Sequence, residues 1–206
     1  MKMPEIVIIA ALAERNRVIG RHGKVPWHIP EDSKRFQSLT RGHAVIMGRK
    51  TWSEDLEKCP LQQRRNIVIT QHPEHYQVAD RCRDYPLGLR FVPSLWAALR
   101  EVEDEDKVFI VGGASIYAQA LPLADVLDLT LVEGDYDGDV YFPKYEHLLG
   151  SEFEQVTVEH HPGFRFETYR RISIFTGLPM RYGAQVMSLV PADRAQPYRP
   201  ILKPKI

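Results

Sequence analysis

"KVFIVGGASIYAQAL", residues 107–121, begins with a short apolar run that ends on two glycines. Such a run, bounded by glycine, is typical of a strand that is buried on both faces of a sheet. The residues after Gly113 then favour a helix. A strand followed directly by a helix is the repeating unit of an α/β fold, in which parallel strands form the sheet and helices cover it.

The chain repeats this unit as far as about residue 122. A continuous apolar run rich in β-branched residues predicts a buried strand at 6–12, and further strands are predicted at 44–47, 66–70 and 126–133, with a weaker pattern at 89–92. Helices are predicted from about 31 to 39 and from a cap at Ser94. Strands dominate afterwards, and "FEQVTVEH" and "FRFETYRRI" alternate in polarity around residues 161–163, which predicts an antiparallel hairpin. We therefore predict an α/β fold with a mostly parallel central sheet, helices on both faces and an antiparallel C-terminal edge hairpin.

The composition limits the partners of the protein. Of its 206 residues 44% are hydrophobic, enough for a substantial core, and 27 basic side chains balance 27 acidic ones. A formal net charge of zero gives no general attraction to nucleic acid or to an anionic membrane, so we expect neither as a partner. The longest early apolar run, "IVIIAALA" at 6–13, is too short to span a bilayer and has no flank of signal-peptide type.

Cysteine and histidine usage points to a cytoplasmic protein without a metal site. Cys59 and Cys82 are too few for a disulfide framework, so we expect free thiols in a reducing compartment. His72 and His75 flank a Pro-Glu pair with the wrong spacing for a zinc motif, and we expect no metal there.

The character of the sequence changes near its end. The last 32 residues hold five of the 15 prolines, five basic residues and a single acid, so we divide the chain into a catalytic domain at 1–173 and a Pro-rich basic extension at 174–206. The prolines forbid a long helix or a central strand, yet the apolar residues between them are too many for a plain linker. We expect the extension to pack in extended form on the domain or on a second subunit and to supply no catalytic group, with a loose appendage as the alternative. We expect a monomer and leave open a dimer through the extension.

Ligands of an open α/β sheet gather beyond the carboxyl ends of its strands. "GRKT" at 48–51 follows one such end, and Arg49 and Lys50, with the free N–H groups of a helix start, would favour phosphate there. A solvated basic pair is the alternative. The Gly112–Gly113 pair lets the backbone approach a ligand closely, or makes a tight turn with nothing bound.

One acid is placed to enter a site. In "VPWHIPEDSKRF" (25–36), Asp32 and Phe36 lie four positions apart and share a helix face, whereas Glu31 is rotated away. Phe36 should face inward, and Asp32 would turn inward with it. A carboxylate on an apolar face is costly to desolvate, and it is stable there if it meets a cationic or multiply hydrogen-bonding ligand. The alternative is that Asp32 is only a first-turn acid, which the helix dipole favours.

Six stretches occur in order at suitable intervals: "IAALAERNRVIG", "VPWHIPEDSKRF", "VIMGRKTW", "RRNIVIT", "VFIVGGASIY" and "DGDVYFP". Together they resemble the dihydrofolate reductase family, in its bacterial type, across residues 4–173. The resemblance implies that family's fold and the NADPH-dependent reduction of 7,8-dihydrofolate to 5,6,7,8-tetrahydrofolate, for one-carbon metabolism and thymidylate and purine synthesis.

The resemblance also implies a pterin site. The family's acid follows a pocket tryptophan in a W-x-x-P-x-D pattern, so Trp27 and Asp32 would be the catalytic residues, with Asp32 bonded to the amidine-like edge of the pterin. Arg64, the first arginine of "RRN", would grip the glutamate carboxylate of folate. The residues that would bind substrate are Ile9, Ala10, Asp32, Phe36, Arg64 and Thr130, and antifolate-type molecules would use the same site.

NADPH is the cofactor that the resemblance implies. The residues that would bind it are Ala11, Ile19, Gly20, Arg49, Lys50, Thr51, Thr70, Gln71, Gly112, Gly113, Ala114, Ser115, Ile116, Tyr117 and Gln119. In the family the Gly-Gly peptide is cis. Residues 16–25 would form a mobile loop that closes over the nicotinamide and faces residues 138–139.

The chain departs from the family in three places. Val25 stands where methionine or leucine is often found before Pro-Trp, the segment between Trp52 and Arg64 is about two residues longer than in common bacterial members, and 174–206 has no counterpart in a minimal reductase. The second departure blurs which residues at 53–63 would contact the substrate.

Two other functions compete with this one. A pyrimidine reductase of riboflavin synthesis would use a related fold and NADPH, but it needs a ribose-phosphate site where this chain has Asp32. A folate- or nucleotide-binding protein that lost turnover would keep the pocket. Loss of NADPH absorbance with dihydrofolate, measured beside the flavin-pathway substrate, separates the three.

Overall fold

The computed structural model of the chain describes residues 3–72, 75 and 88–172. They belong to the first of two units into which the chain divides, Met1–Ser173 and Ile174–Ile206. The expectations for the extension at 174–206, including a dimer through it, and for Cys82 lie outside the described residues. The assignment of 1–173 as a catalytic domain with an appended extension stays a prediction.

Eight strands of the described residues form the central sheet, and two more form a small second sheet. In chain order the strands are β1 (Glu5–Ala13), β2 (Val18–Gly20), β3 (Ala44–Gly48), β4 (Arg65–Ile69), β5 (Leu89–Val92), β6 (Lys107–Ile110), β7 (Val126–Val132), β8 (Val140–Tyr141), β9 (Phe153–His161) and β10 (Phe164–Arg171). The α-helices are α1 (Pro30–Thr40), α2 (Leu95–Arg100) and α3 (Ala114–Ala120). A π-helix covers Thr51–Asp55, and 3₁₀ turns cover Leu121–Leu123 and Glu146–Leu148.

The central sheet runs in the order β5-β4-β3-β6-β1-β7-β10-β9. All pairs from β5 to β7 are parallel, and β10 pairs antiparallel with both β7 and β9. The predicted fold class is confirmed, because the parallel strands are the continuous apolar runs and the hairpin has the alternating pattern. The order also reverses direction beside β1, since the chain moves from β1 to β3 on one side and later to β7 on the other. Such a switch point opens a crevice at the carboxyl ends of the strands.

Helices α1 and α3 cover opposite faces of the sheet. Phe36 and Leu39 of α1 pack against the cluster that contains Val45 and Met47 of β3. A side chain at Gly48 would point to the other face, where an added Cβ would lie 3.0 Å from Ile116 of α3. The strand β3 is therefore buried on both sides, which explains its lack of polar residues.

The start of α1 follows from its first residues. Pro30 occupies the first turn, where its missing N–H leaves no hydrogen bond unmade, and Glu31 and Asp32 follow within the positive end of the helix dipole. The helix ends before Arg41, whose backbone is extended. Ser94 caps α2 as predicted, since its hydroxyl accepts from the Ala97 N–H at 3.1 Å.

The small sheet, β2 with β8, was not predicted, and it brings the loop at 16–25 against residues 138–139. The Asp139 N–H donates to the Gly20 carbonyl at 3.1 Å, and the His22 N–H donates to the Asp139 carboxylate at 3.2 Å. Gly138 has to be glycine, because an added Cβ would clash with Val18 and would lie 2.7 Å from the Gly20 carbonyl oxygen. The sequence signal was too short for a strand prediction, since β2 has three residues and β8 has two.

The expectation of a free thiol is wrong for Cys59, which is disulfide-bonded. Sequence could not show this, because pairing depends on the distance between two side chains in the fold. Cysteine usage therefore gives no support to a reducing compartment. Within the part of the chain that the structure describes, none of the helices combines the length and hydrophobicity needed to cross a membrane.

Candidate active site

A cleft of about 1970 Å³ opens at the carboxyl ends of the parallel strands, where the order of the sheet reverses. It gathers most of the residues predicted for substrate and cofactor, although they come from seven separate stretches of the chain. The predicted residues that line it are Ile9, Ala10, Ala11, Ile19, Gly20, Asp32, Phe36, Arg49, Lys50, Thr51, Arg64, Thr70, Gln71, Gly112, Gly113, Ala114, Ser115, Ile116, Tyr117 and Gln119.

Asp32 lies in this cleft and is held from the sheet side. The Thr130 hydroxyl, on β7, donates to the Asp32 carboxylate at 2.5 Å. Burial raises the pKa of Asp32 above its ordinary value, while the Thr130 hydrogen bond and the charge of Arg35 oppose that rise. Glu31, the neighbouring acid, is exposed and does not line the cleft. Asp32 is thus the acid of the pair that a ligand would meet.

Two predicted site residues stand behind the cleft wall. Thr130 is buried and reaches the cleft only through its bond to Asp32. Trp27 packs edge-on against Tyr136, with ring centroids 4.9 Å apart, and against the cluster of Val132, Phe164 and Phe166. Its indole N–H is buried and has no hydrogen-bond partner among the described residues. A direct catalytic role for Trp27 stays a prediction.

Arg64 is fixed at one end of the cleft by helix α1. Its Nε donates to the Thr40 hydroxyl at 2.8 Å and its Nη2 to the Gln37 carbonyl at 3.1 Å. The guanidinium lies 5.8 Å from the centroid of the Phe36 ring. Burial, and then the nearby charge of Arg41, lowers the pKa of Arg64, yet the group remains a cation. A bidentate grip on a carboxylate is the chemistry that suits a guanidinium held in this way.

The opposite end of the cleft is cationic and suits phosphate. Arg49 and Lys50 follow β3 and are exposed, while Thr70 and Gln71 follow the adjacent β4. The carboxyl ends of neighbouring parallel strands meet at one edge of the sheet, so these four residues lie along one rim.

Between the two ends the floor of the cleft is made of glycine. The Gly112–Gly113 peptide is cis, and Gly112 has a φ of +125° that disfavours any side chain. An added Cβ at Gly112 would lie 3.3 Å from the Thr51 hydroxyl and 3.4 Å from the Tyr117 hydroxyl. Tyr117 is buried and donates to the Ile9 carbonyl at 2.9 Å. The two glycines leave this part of the floor without side chains, which gives room for the flat ring of a nicotinamide, and the basic residues of the rim suit the phosphates of NADPH.

Sequence reasoning missed a further carboxylate that lines the cleft. Asp55 ends the π-helix and lines the cleft with Glu54 and Leu56, in the segment whose substrate contacts were left open. Burial raises its pKa to about 6, a hydrogen bond with Thr51 lowers it and the charge of Glu54 raises it. The spacing of four from Thr51 to Asp55 could have signalled a shared face. Arg41, beside Arg64, was also missed.

Within the cleft, the Asp32 carboxylate lies at one wall and the Arg64 guanidinium lies at one end. Residues 5–171 match the family described as dihydrofolate reductase. The chain is 44% identical over 153 residues to the dihydrofolate reductase of Neisseria gonorrhoeae, covering 74% of this chain and 88% of that one. It is 40% identical over 152 residues to dihydrofolate reductase type 3 of Salmonella typhimurium, covering 74% and 86%.

A solved structure agrees with these matches. Dihydrofolate reductase from Enterococcus faecalis, complexed with NADP(H) and RAB-propyl, aligns with a TM-score of 0.69 and 29% identity over 81% of this chain and 96% of that one. The chain belongs to the dihydrofolate reductase family. It is an oxidoreductase that acts on a CH–NH group, reducing 7,8-dihydrofolate to 5,6,7,8-tetrahydrofolate with NADPH.

The raised pKa of Asp55 makes a prediction about stability and pH. Because the folded-state pKa is about 6 and the ordinary value is 3.8, the folded chain loses stability as pH rises from about 4 through 6, where the unfolded chain is already ionised. Asp55→Asn should therefore stabilise the protein at pH 8 by roughly 1 kcal/mol, a value reduced by the solvent that screens the charge in the cleft. Urea unfolding at pH 8, 6 and 4.5 would measure it.

The gain from Asp55→Asn should shrink steadily as the pH falls towards 4.5. Glu103→Gln removes the same charge from an exposed position and serves as the control, with no such pH dependence expected. A gain from Asp55→Asn that is equal at all three pH values would contradict the assignment of a raised pKa to this carboxyl.

Proposed function

We propose that the residues of the cleft divide the reduction of dihydrofolate into three tasks: holding the pterin, gripping the glutamate tail and seating the cofactor. The observation that carries this proposal is the Asp32 carboxylate, which enters the cleft from α1 and is fixed by Thr130. It is supported by the position of Arg64 at one end and of Arg49 and Lys50 at the other.

Asp32 holds the pterin by its amidine-like edge. A carboxylate accepts two N–H groups of such an edge at once, which orients the ring in the cleft. NADPH, when bound, supplies the hydride that the carbon of the reduced C=N bond receives. The ring nitrogen of that bond needs a proton, and Asp32, held at the other edge of the pterin, does not reach it. Asp32 instead polarises the ring, and the proton arrives through water.

The walls of the cleft support a position for each of the two rings. The Gly112–Gly113 floor leaves room for the nicotinamide, and Ile9, Ala10 and Phe36 give the pterin an apolar surround. An apolar surround strengthens the hydrogen bonds to Asp32, because water competes less there. The loop at 16–25 lines the same cleft through residues 19, 20 and 22–25, and its closure would exclude water from the rings.

The finer partners and setting are part of the proposal. The side of the cleft formed by Ile9, Ala10, Asp32 and Phe36 is called the pterin wall here. Antifolate-type molecules would bind to it, since they present the same amidine-like edge to Asp32. The protein acts as a monomer, with a dimer through residues 174–206 as the alternative, and works in the cytoplasm, where its product would feed one-carbon metabolism and the synthesis of thymidylate and purines.

Asp32→Asn tests the pterin wall. The variant should bind NADPH within about twofold of the parent, while hydride transfer to dihydrofolate at pH 7 falls by a factor of about 10² or more, because the amide neither polarises the ring nor matches both N–H donors. The loss should shrink at lower pH, where more substrate is already protonated. Single-turnover kinetics followed by NADPH absorbance would measure it.

Glu31→Gln is the matched control, since it neutralises the adjacent acid, which is exposed outside the cleft. Its hydride transfer should remain within about twofold of the parent. Equal losses in the two variants would show that the wrong acid has been assigned to the site.

The two ends of the cleft should respond to different ligands. Arg64→Ala should weaken dihydrofolate binding at least tenfold and leave a pterin without the glutamate tail unaffected, because only the tail offers a carboxylate. Arg49→Ala should weaken NADPH more than NADH, since its contact would be with the ribose phosphate that NADPH has and NADH lacks. Fluorescence titrations of each variant with the four ligands would measure these changes. An Arg64→Ala protein that loses both pterins equally would refute the assignment of the tail to that end.

A further inference from the structure

A second pair of side chains bridges α1 and β7 beside the bond between Asp32 and Thr130. The Arg35 guanidinium donates from Nη1 to Oδ1 of Asp128 and from Nη2 to Oδ2 at 3.0 Å. Arg35 follows Asp32 by three positions, so the two side chains are neighbours on the helix. Asp128 and Thr130 are two positions apart on β7 and point to the same face of the sheet. Two adjacent side-chain contacts therefore join the helix to the strand, and the one between Asp32 and Thr130 reaches the cleft.

The Arg35–Asp128 pair is largely withdrawn from solvent and held in one geometry. The side chains are 23% and 10% exposed, and the Phe166 ring lies 4.6 Å below the guanidinium. A two-pronged contact over an aromatic ring fixes the guanidinium in orientation as well as in position. A buried pair of this kind adds little stability over two apolar side chains of similar size. Stability alone therefore does not explain a pair of charges at this place.

The two charges of the pair act on Asp32 in opposite directions. Besides burial and the Thr130 hydrogen bond, the charge of Arg35 lowers the pKa of Asp32 and the charge of Asp128 raises it. The intact pair therefore presents two opposing charges to the carboxylate. Loss of either partner would leave the other as a buried, unbalanced charge within reach of Asp32.

Other groups near Asp32 come from the cleft lining and from α1 itself. The cleft that Asp32 enters is also lined by the apolar Ile9 and Ala10 of β1 and by Tyr117 of α3. Glu31 and Lys34 of α1 are exposed, and the Phe166 ring of β10 lies against Arg35. Tyr117 stays neutral, because burial first and then the charges of Asp55 and Asp32 raise its pKa. Asp55 lines the cleft on the π-helix and bears on Tyr117.

We propose that Arg35 and Asp128 are positioning residues for the reductase reaction, whose ion pair holds Asp32 against Thr130 and keeps unbalanced charge away from the pterin wall. The proposal rests on the function proposed above for Asp32. It assigns to the pair a task that neither residue performs by touching substrate or cofactor.

Three variants of the full chain test it: Arg35→Gln, Asp128→Asn and the double variant. The titration midpoint of the Asp32 carboxyl is measured by carbon NMR with labelled aspartate, assigned by the signal that Asp32→Asn removes, and single-turnover hydride transfer is followed over the same pH range. Arg35→Gln should move the midpoint up by about one pH unit, because Asp128 loses its counter-charge. Asp128→Asn should move it down by about one unit, and the double variant should lie within about 0.3 unit of the parent, since both charges are gone.

Arg35→Lys retains the charge and provides a variant that folds if the neutral variants do not. The titration midpoint of its Asp32 carboxyl should stay near that of the parent. Its hydride transfer should be slower, because lysine cannot make the two-pronged contact with Asp128. Shifts of the same sign in both single variants, or no shift in either, would overturn the proposal. The function proposed for Asp32 fails separately, through an Asp32→Asn protein that retains hydride transfer. If Asp32→Asn loses hydride transfer but the titration midpoint of Asp32 is unshifted in both Arg35→Gln and Asp128→Asn, the positioning role alone is overturned.

Discussion

The contact between helix α1 and strand β7 is the constraint on which the active site depends. It places one carboxylate in the crevice where the order of the sheet reverses, and the Thr130 hydroxyl fixes that carboxylate at 2.5 Å. The same helix carries Phe36 at the cleft wall and holds Arg64 through Thr40 and the Gln37 carbonyl. One helix thus orients the acid, the apolar wall and the arginine, so a small rotation of α1 would misplace all three.

The contact between α1 and β7 also determines the charge around Asp32. A carboxylate taken out of water favours its neutral form, and the pKa of Asp32 is accordingly raised. The opposing charges of Arg35 and Asp128 lie behind it, and the cationic residues that suit phosphate lie at the far rim of the cleft. In the proposed function, the pterin would meet Asp32 among the apolar side chains of Ile9, Ala10 and Phe36, and the cofactor would meet the basic residues.

Local patterns in the sequence predicted the parallel strands, the hairpin and the course of α1, because those features depend on residues close together in the chain. The shared face of Asp32 and Phe36 likewise followed from helical spacing. Two features that escaped prediction depend on distance in space: the disulfide at Cys59 and the pairing of Arg35 with Asp128. The π-helix that turns Asp55 into the cleft is local, and the spacing of Thr51 and Asp55 was its one signal in the sequence. Trp27 was predicted as catalytic from the resemblance; the structure packs its ring behind the wall of the cleft, and the role stays a prediction.

The most direct measurement is the protonation state of a bound 2,4-diaminopyrimidine, an antifolate type whose ring carries the amidine-like edge. Its ultraviolet spectrum distinguishes the cation from the neutral ring. If Asp32 is the carboxylate of the pterin wall, the ligand bound to the parent protein should show the spectrum of the cation even at a pH one to two units above the pKa of the free ligand, and the ligand bound to Asp32→Asn should show the neutral spectrum. A neutral spectrum for ligand tightly bound to the parent protein would contradict the account.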